Sequence, residues 1–192
     1  PAPQKGSGQL SLFGGMEPAA SPKKANSQPN LFGEFTDEGQ GDAEFSSLAS
    51  LKNTEYDYQL IDNEEKRKEF LQIIKTKEFF SLDTETTGTD PITAELVGMS
   101  FSFAKNQAFY VPVPANRQEA EKIVKEFKEV LENPKTLKVG QNIKYDMTVL
   151  SNYGVEVQGP MFDTMIAHYV LQPELRHNMD YLAEIYLHYQ TI

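Results

Sequence analysis

The branched and aromatic residues that fill protein cores are unevenly distributed along this chain of 192 residues. Residues 1–50 contain no Val, Ile or Tyr, yet they hold 7 of the 12 Gly and 5 of the 11 Pro. Such a segment cannot bury enough apolar surface to offset the entropy lost on ordering, so we expect it to be disordered. The chain also starts with Pro1 instead of Met. We interpret residues 1–50 as an interdomain linker from a longer polypeptide, and residues 51–192 as the folded domain.

The chain as a whole is acidic and contains no cysteine. The absence of Cys excludes disulfide scaffolds, thiolate zinc sites and cysteine nucleophiles, and it is compatible with the cytoplasm. No apolar run approaches the roughly 20 residues of a membrane span, and no signal-peptide pattern opens the chain, so the sequence predicts a soluble cytoplasmic protein without membrane contact. The net charge of −10 argues against a nucleic-acid surface built from basic side chains.

Hydrophobic periodicity alternates between helix and strand after residue 50. The pattern predicts strands at residues 79–85, 96–103, 108–113 and 137–140. It predicts helices at residues 66–74 (after a capping box at Asp62 and Glu65), from Asn116 to a stop at residues 133–134, and at 142–152, 162–171 and 179–188. The aromatic side chains on strand patterns are expected in the core: Phe101, Phe103, Phe109 and Tyr110. This order predicts an α/β domain with a mixed sheet.

The first predicted strand ends in two carboxylates, in the segment Ser81-Leu82-Asp83-Thr84-Glu85. Residues two apart on a strand share a face, so Asp83 and Glu85 project side by side. Two like charges at that spacing repel, a divalent cation between them relieves the repulsion, and carboxylate oxygens select Mg²⁺ or Mn²⁺. An acidic turn after a strand gives the same pattern, so both interpretations stay open for this segment alone.

A second polar group follows the predicted strand at residues 137–140, in Gly140-Gln141-Asn142-Ile143-Lys144-Tyr145-Asp146. The strand passes there into a helix, which places Asn142 and Asp146 one turn apart on one face. Taken alone, Asn142 could be a helix cap and Asp146 a solvated acid of the first turn. Together with Asp83 and Glu85, Asp146 would be a third carboxylate at one metal site.

These two segments resemble the first and second exonuclease motifs of the DEDD superfamily. The form is that of the 3′→5′ proofreading domain in bacterial family A DNA polymerases, the DNA polymerase I group. The resemblance covers about residues 56–192 and includes residues 162–166, 177–183 and the terminal Gln190-Thr191-Ile192. It implies a ribonuclease H-like fold, a mixed sheet flanked by helices, here incomplete at the C-terminus.

The resemblance also implies a two-metal 3′→5′ exonuclease that releases nucleoside monophosphates. Asp83, Glu85 and Asp146 would be its catalytic carboxylates and the ligands of two divalent ions, Mg²⁺ or Mn²⁺. Contacts to a single-stranded or frayed DNA 3′ end are implied for Thr86, Thr89, Gln141, Asn142, Lys144 and Tyr145. Thr89 stands where the family usually has an apolar residue. Bound cations would let an acidic pocket receive a phosphate despite the net charge.

The family's third motif, Tyr-x₃-Asp, is absent after Asp146. That motif supplies a fourth carboxylate and a tyrosine that orients the water. The literal match from Tyr58 to Asp62 precedes the first motif, and we interpret it as chance. The chain stops at Ile192, before the usual place of the third motif. We therefore expect an impaired nuclease whose parent is active, with the parent's polymerase domain as its partner and a monomeric state.

Residues 1–50 also contain a short docking motif. Gln9-Leu10-Ser11-Leu12-Phe13 resembles the peptide by which bacterial proteins bind the replication sliding clamp, and Gln28-Pro29-Asn30-Leu31-Phe32 is a looser copy. Leu12 and Phe13 would fill an apolar pocket while Gln9 contacts its rim. Apolar residues placed by chance in a linker explain a five-residue match as well.

Three functions remain open at this point. The chain is an exonuclease domain of a family A polymerase, a free-standing DEDD exonuclease acting on RNA or DNA, or a non-catalytic module that docks on the clamp. The intact carboxylates count against the third. The histidines lack the spacing of a metal site, and Asp163 is interpreted as a helix cap with a minor claim to be a spare ligand.

Overall fold

A computed structural model describes residues 48–191 of the chain. The strands are β1 (Ala49–Ser50), β2 (Asp57–Leu60), β3 (Phe79–Thr86), β4 (Leu96–Ala104), β5 (Gln107–Pro112), β6 (Leu137–Gly140), β7 (Met161–Asp163) and β8 (Tyr189–Gln190). The helices are α1 (Glu64–Ile74), α2 (Arg117–Glu126), α3 (Lys128–Leu131), α4 (Ile143–Ser151), α5 (Thr164–Leu171) and α6 (Met179–Leu187). Both docking motifs and residues 1–47 of the predicted linker lie outside the described residues. Ala49 and Ser50, at the end of that linker, form β1 and pair with β8.

Six strands form one mixed sheet in the order β2-β5-β4-β3-β6-β7. The central strand β3 pairs antiparallel with β4 and parallel with β6. The predicted α/β fold with a mixed, helix-flanked sheet is thereby confirmed. Because Val139 of β6 pairs with Ser81 of β3, the chain that follows β6 passes beside Asp83 and Thr84. This register brings the two candidate motifs together.

Several local predictions were incomplete or wrong. The edge strands β2 and β7 were not predicted, because all four side chains of β2 are exposed and β7 is three residues long. The helix predicted from Asn116 onward is divided at Phe127, which ends α2 and precedes α3. The side chain that caps α1 is Asn63, whose oxygen accepts from the backbone N–H of Lys66 at 2.9 Å, and not Asp62.

The core lies on one face of the sheet, where α1, α2 and α3 contribute apolar side chains. Phe101 stacks on Phe127 with ring centroids 5.3 Å apart and also contacts Phe70 and Phe80. Phe101 and Phe109 are buried as predicted, and Phe103 packs at the edge of this cluster. The prediction for Tyr110 was wrong, because its side chain is only partly buried and strand alternation directs it to the opposite face.

The last two long helices bury little of their apolar surface. Within α5 the buried residue is His168, and within α6 it is Ala183. The exposed apolar side chains of this region are Ile166, Tyr169, Val170, Leu171, Leu175, Met179, Tyr186 and Leu187. No helix in the described range of 48–191 is long and apolar enough to cross a membrane.

A buried lysine connects the loop before β6 to the loop before β7. Lys138 is fully buried, and its ammonium donates to the carbonyl oxygens of Asn133 and Gln158 at 2.6 Å each. Burial lowers the pKa of Lys138 to about 8. These two bonds hold the start of β6 against the segment that enters β7, so the strand that leads into the second motif is fixed at its base.

Candidate active site

Asp83 and Glu85 lie on the face of β3 opposite the core. The burial of β3 alternates, with Phe80, Leu82 and Thr84 buried against the helices and the acidic residues on the other side. Asp83 is half-buried and Glu85 is exposed. Burial, and then the charge of Glu85, raise the pKa of Asp83. The two carboxylates are therefore close enough to interact, as their spacing predicts.

Asp146 joins this pair from the first turn of α4. Its side chain is 2% exposed, and its Oδ1 accepts from the backbone N–H of Thr84 at 2.9 Å and from the Thr84 hydroxyl at 2.6 Å. Burial raises the pKa of Asp146 to about 6; the bonds from Thr84 oppose the rise, and the charge of Asp83 adds to it. The second motif is thus attached directly to the residue between the two acids of the first.

The three carboxylates have no basic partner in the described part of the chain. All the ion pairs found there join other residues. Their oxygens are hard donors, and both bonds to Asp146 reach Oδ1, so this donor set fits Mg²⁺ or Mn²⁺. Residues 48–191 nevertheless contain no group of three metal-ligating side chains already close enough to hold an ion. The three acids predicted as ligands therefore do not form a preassembled metal centre among the described residues.

The turn after β3 is held by two hydroxyl groups. Tyr145 donates to the carbonyl oxygen of Gly88 at 2.5 Å, and the hydroxyls of Tyr145 and Thr86 lie 2.6 Å apart. A register shift between Glu85 and Thr86 turns the strand at this point. Thr89, in the chain after β3, and Lys144, on α4, are both exposed. Of the residues for which DNA contacts were predicted, Thr86 and Tyr145 thus hold this turn, and their role toward DNA stays a prediction.

The Gln141 side chain is held by internal hydrogen bonds, whereas Asn142 is held through its backbone N–H, which donates to Asp163 at 3.1 Å. The Gln141 amide donates to the carbonyl oxygen of His177 at 2.6 Å, and its oxygen accepts from the Thr164 hydroxyl. Asn142 adopts a left-handed conformation with φ 59°, and its side chain makes no capping bond to α4. Asn142 therefore stands at the N-cap position of α4, but its side chain does not cap the helix. A left-handed residue here bends the chain sharply from β6 into α4.

Asp163 accepts more hydrogen bonds than its sequence pattern predicts. Its Oδ1 accepts from the backbone N–H groups of Asn142, Met165 and Ile166, and its Oδ2 accepts from that of Ile143. Asp163 caps α5 as predicted. Both of its carboxylate oxygens accept backbone hydrogen bonds, which argues against the further interpretation of Asp163 as a spare metal ligand. The link to Asn142 and Ile143 depends on the pairing of β6 with β7, which no local sequence pattern shows.

A pair of histidines was also missed. The Nδ1 atoms of His168 and His177 lie 2.6 Å apart, although the two residues are too far apart in sequence to share a helix face. His168 is 4% exposed, and its Nε2 is buried with no partner among residues 48–191. The pair ties α5 to the loop that also receives the bond from Gln141.

Comparison with known proteins supports one family. A family model described as 3′-5′ exonuclease matches residues 58–192. DNA polymerase I of Borreliella burgdorferi is 35% identical over 139 residues, which cover 70% of this chain and 15% of that protein. DNA polymerase I of Pseudomonas aeruginosa is 36% identical over 147 residues, covering 72% and 16%. The chain therefore spans about a sixth of the length of these relatives.

The fold of this chain matches that of several solved structures. The catalytic core of RRP6 from Trypanosoma brucei aligns with a TM-score of 0.58 and 17% identity, over 73% of this chain and 36% of that one. Brucella melitensis NrnC with bound Mg²⁺ aligns with a TM-score of 0.54 and 19% identity, over 70% and 62%. Identities this low support the ribonuclease H-like fold and no more.

Proposed function

Because this chain belongs to the 3′-5′ exonuclease family, we propose that it is the proofreading exonuclease portion of a bacterial DNA polymerase I. The observation that carries the proposal is the group Asp83, Glu85 and Asp146, gathered around Thr84 without a basic partner in the described residues. The free-standing exonuclease is the alternative, and the relatives above 30% identity favour the polymerase. The polymerase region of such a parent would supply most of the DNA affinity that this acidic chain lacks.

The proposed reaction is hydrolysis of the last phosphodiester at a DNA 3′ end. Asp83, Glu85 and Asp146 would hold two divalent cations, and such ions, when bound, activate a water and stabilise the leaving 3′ oxygen. The protein's part is to present carboxylate oxygens in fixed positions. β3 holds the first two acids on one face, and Thr84 holds Oδ1 of Asp146, which leaves Oδ2 as its coordinating atom.

The surrounding residues would position the DNA strand. Lys144 is an exposed cation on α4 and could contact a phosphate, while Thr89 lies on the exposed turn. Tyr145 and Thr86 keep that turn in place through Gly88. Gln141 would act on the strand by shaping the loop after β6, because its side-chain bonds are internal, whereas the side chain of Asn142, which makes no capping bond, would contact the strand itself. We propose that the chain works as a cytoplasmic monomer.

We predict slow, metal-dependent release of nucleoside monophosphates from a 3′-labelled single strand, because Tyr-x₃-Asp does not follow Asp146. Asp83→Asn is expected to lower the rate by more than about 100-fold. Even the loss of a residue that only hydrogen-bonds to a metal ligand lowers metal affinity or activity by about 10- to 100-fold. The matched control is Asp180→Asn, an exposed acid on α6. The assay follows labelled products on a gel with Mn²⁺ and with EDTA. Release that persists in Asp83→Asn, or that starts at the 5′ end, would contradict the proposal.

A second proposal concerns the docking motif, which stands outside the described residues. Gln9, Leu10, Leu12 and Phe13 would bind a bacterial sliding clamp and keep the parent polymerase on DNA. The resemblance of the five-residue motif supports this proposal. A peptide of residues 6–15 that shows no binding to a clamp in a titration would remove it.

A further inference from the structure

Tyr110 shares the sheet face of Asp83 and Glu85. Asp83 pairs with Ser100 across β3 and β4, and Ser100 pairs with Tyr110 across β4 and β5. Residues paired directly across neighbouring strands project from the same face. Tyr110 therefore lies in one row with Asp83, two strands away, and none of the proposed site residues comes from β5.

The ring of Tyr110 leans along the sheet over Gly98. A Cβ atom at Gly98 would lie 2.1 Å from the Tyr110 hydroxyl oxygen and 2.3 Å from the ring carbon that carries it. The phenol thus occupies the space that any other side chain at position 98 would fill. Gly98 is the residue paired with Glu85, so the hydroxyl lies over the position next to Glu85 on the neighbouring strand.

The Tyr110 hydroxyl has a proton to donate. Its described contact is with the carbonyl oxygen of Val97 at 3.5 Å, the outer limit for a hydrogen bond. A tyrosine hydroxyl is protonated at neutral pH, so it is available as a donor. A charged acceptor would be preferred to the distant carbonyl, and Glu85 is the carboxylate whose strand partner, Gly98, lies beneath the phenol.

We propose that Tyr110 is a positioning residue for Glu85: its hydroxyl donates to one carboxylate oxygen and leaves the other facing the divalent cation. The inference rests on the proposed function, because it assigns a role toward the same cation site. Such outer bonds orient a metal ligand and restrict its rotation. Gly98 has a part in this arrangement, since only a residue without a side chain leaves room for the phenol over β4.

The test is Mn²⁺ binding by the full 192-residue chain, measured by calorimetry and by the electron paramagnetic resonance spectrum of the bound ion. Tyr110→Phe, which keeps the ring, is expected to weaken binding about tenfold and to change the spectrum. The matched control is Tyr58→Phe, which removes a hydroxyl from the same cavity of about 330 Å³ beside β2 and β5. Its affinity is expected to equal that of the wild type.

The Glu85→Gln variant distinguishes a failure of the role proposed for Tyr110 from a failure of the proposed cation site. In the Glu85→Gln background, Tyr110→Phe is expected to have no further effect on affinity, because its acceptor has lost its charge. Wild-type affinity and spectrum in Tyr110→Phe, with weakened binding in Glu85→Gln, would overturn the role of Tyr110 alone. A wild-type chain that binds no Mn²⁺, or a Glu85→Gln variant that binds it normally, would overturn the proposed function and this inference with it.

Discussion

Asp146→Asn is expected to stabilise the metal-free chain while it weakens cation binding. Asp146 is buried without a basic partner in the described residues, and burial raises its pKa from 3.8 to about 6. The stability contributed by the protonated carboxyl is fully present below pH 3.8 and is lost as the pH rises through about 6. At pH 7 the charge therefore lowers the free energy of unfolding by about 1–3 kcal/mol, which asparagine removes. Its amide oxygen can still accept the bonds from Thr84.

Urea unfolding at pH 7 in EDTA measures this effect. Asp180→Asn serves as the control and is expected to change the free energy of unfolding by less than about 0.5 kcal/mol, since that acid is exposed. Added Mn²⁺ should stabilise the wild-type chain and Asp180→Asn but not Asp146→Asn. An Asp146→Asn variant less stable than the wild type in EDTA would show that the carboxylate is a structural anchor and not a strained metal ligand.

Asp163→Ala is expected to destabilise the chain by about 3 kcal/mol or more, the largest loss predicted for one side chain here. The carboxylate accepts from four backbone N–H groups, two at the start of α5 and two at the entry to α4. A helix cap alone is worth about 0.5–2 kcal/mol, and the two bonds to α4 add to it. Because α4 carries Asp146, the substitution should also weaken Mn²⁺ binding.

Urea unfolding measures the loss for Asp163→Ala, and amide hydrogen exchange locates it at Asn142, Ile143, Met165 and Ile166. The comparison variant is Asp62→Ala, because Asp62 also precedes a helix but forms an exposed pair with Lys66. It is expected to lose less than about 1 kcal/mol. A loss for Asp163→Ala no larger than that of Asp62→Ala, or faster exchange confined to α5, would contradict the link between α5 and the second motif.

The sequence was sufficient for those parts of the site that depend on local periodicity. Alternation along β3 places Asp83 and Glu85 on one face, and the strand-to-helix transition after Gly140 places Asp146 in the first turn of α4. These are consequences of side-chain spacing within one element. The order of the predicted elements also identified the mixed α/β sheet.

The remaining features depend on which strands pair and in what register. The pattern of its own strand predicts that Tyr110 is a core aromatic residue. Its place near Glu85 follows instead from the pairing of β4 with β3 and β5, and from the absence of a side chain at Gly98. The four bonds of Asp163 follow from β6 lying beside β7. Pairing between segments far apart in sequence leaves no periodic signal in either one.

Anomalous diffraction from a crystal of the chain soaked in Mn²⁺ tests the central claim most directly. If Asp83, Glu85 and Asp146 form a cation site, the anomalous map will show a peak within about 2.3 Å of an Asp83 oxygen, with Glu85 or Asp146 as a second ligand. The same crystal of Asp83→Asn will lack that peak. Manganese found only at surface acids away from β3, with none at Asp83 in the wild-type crystal, would contradict the assignment.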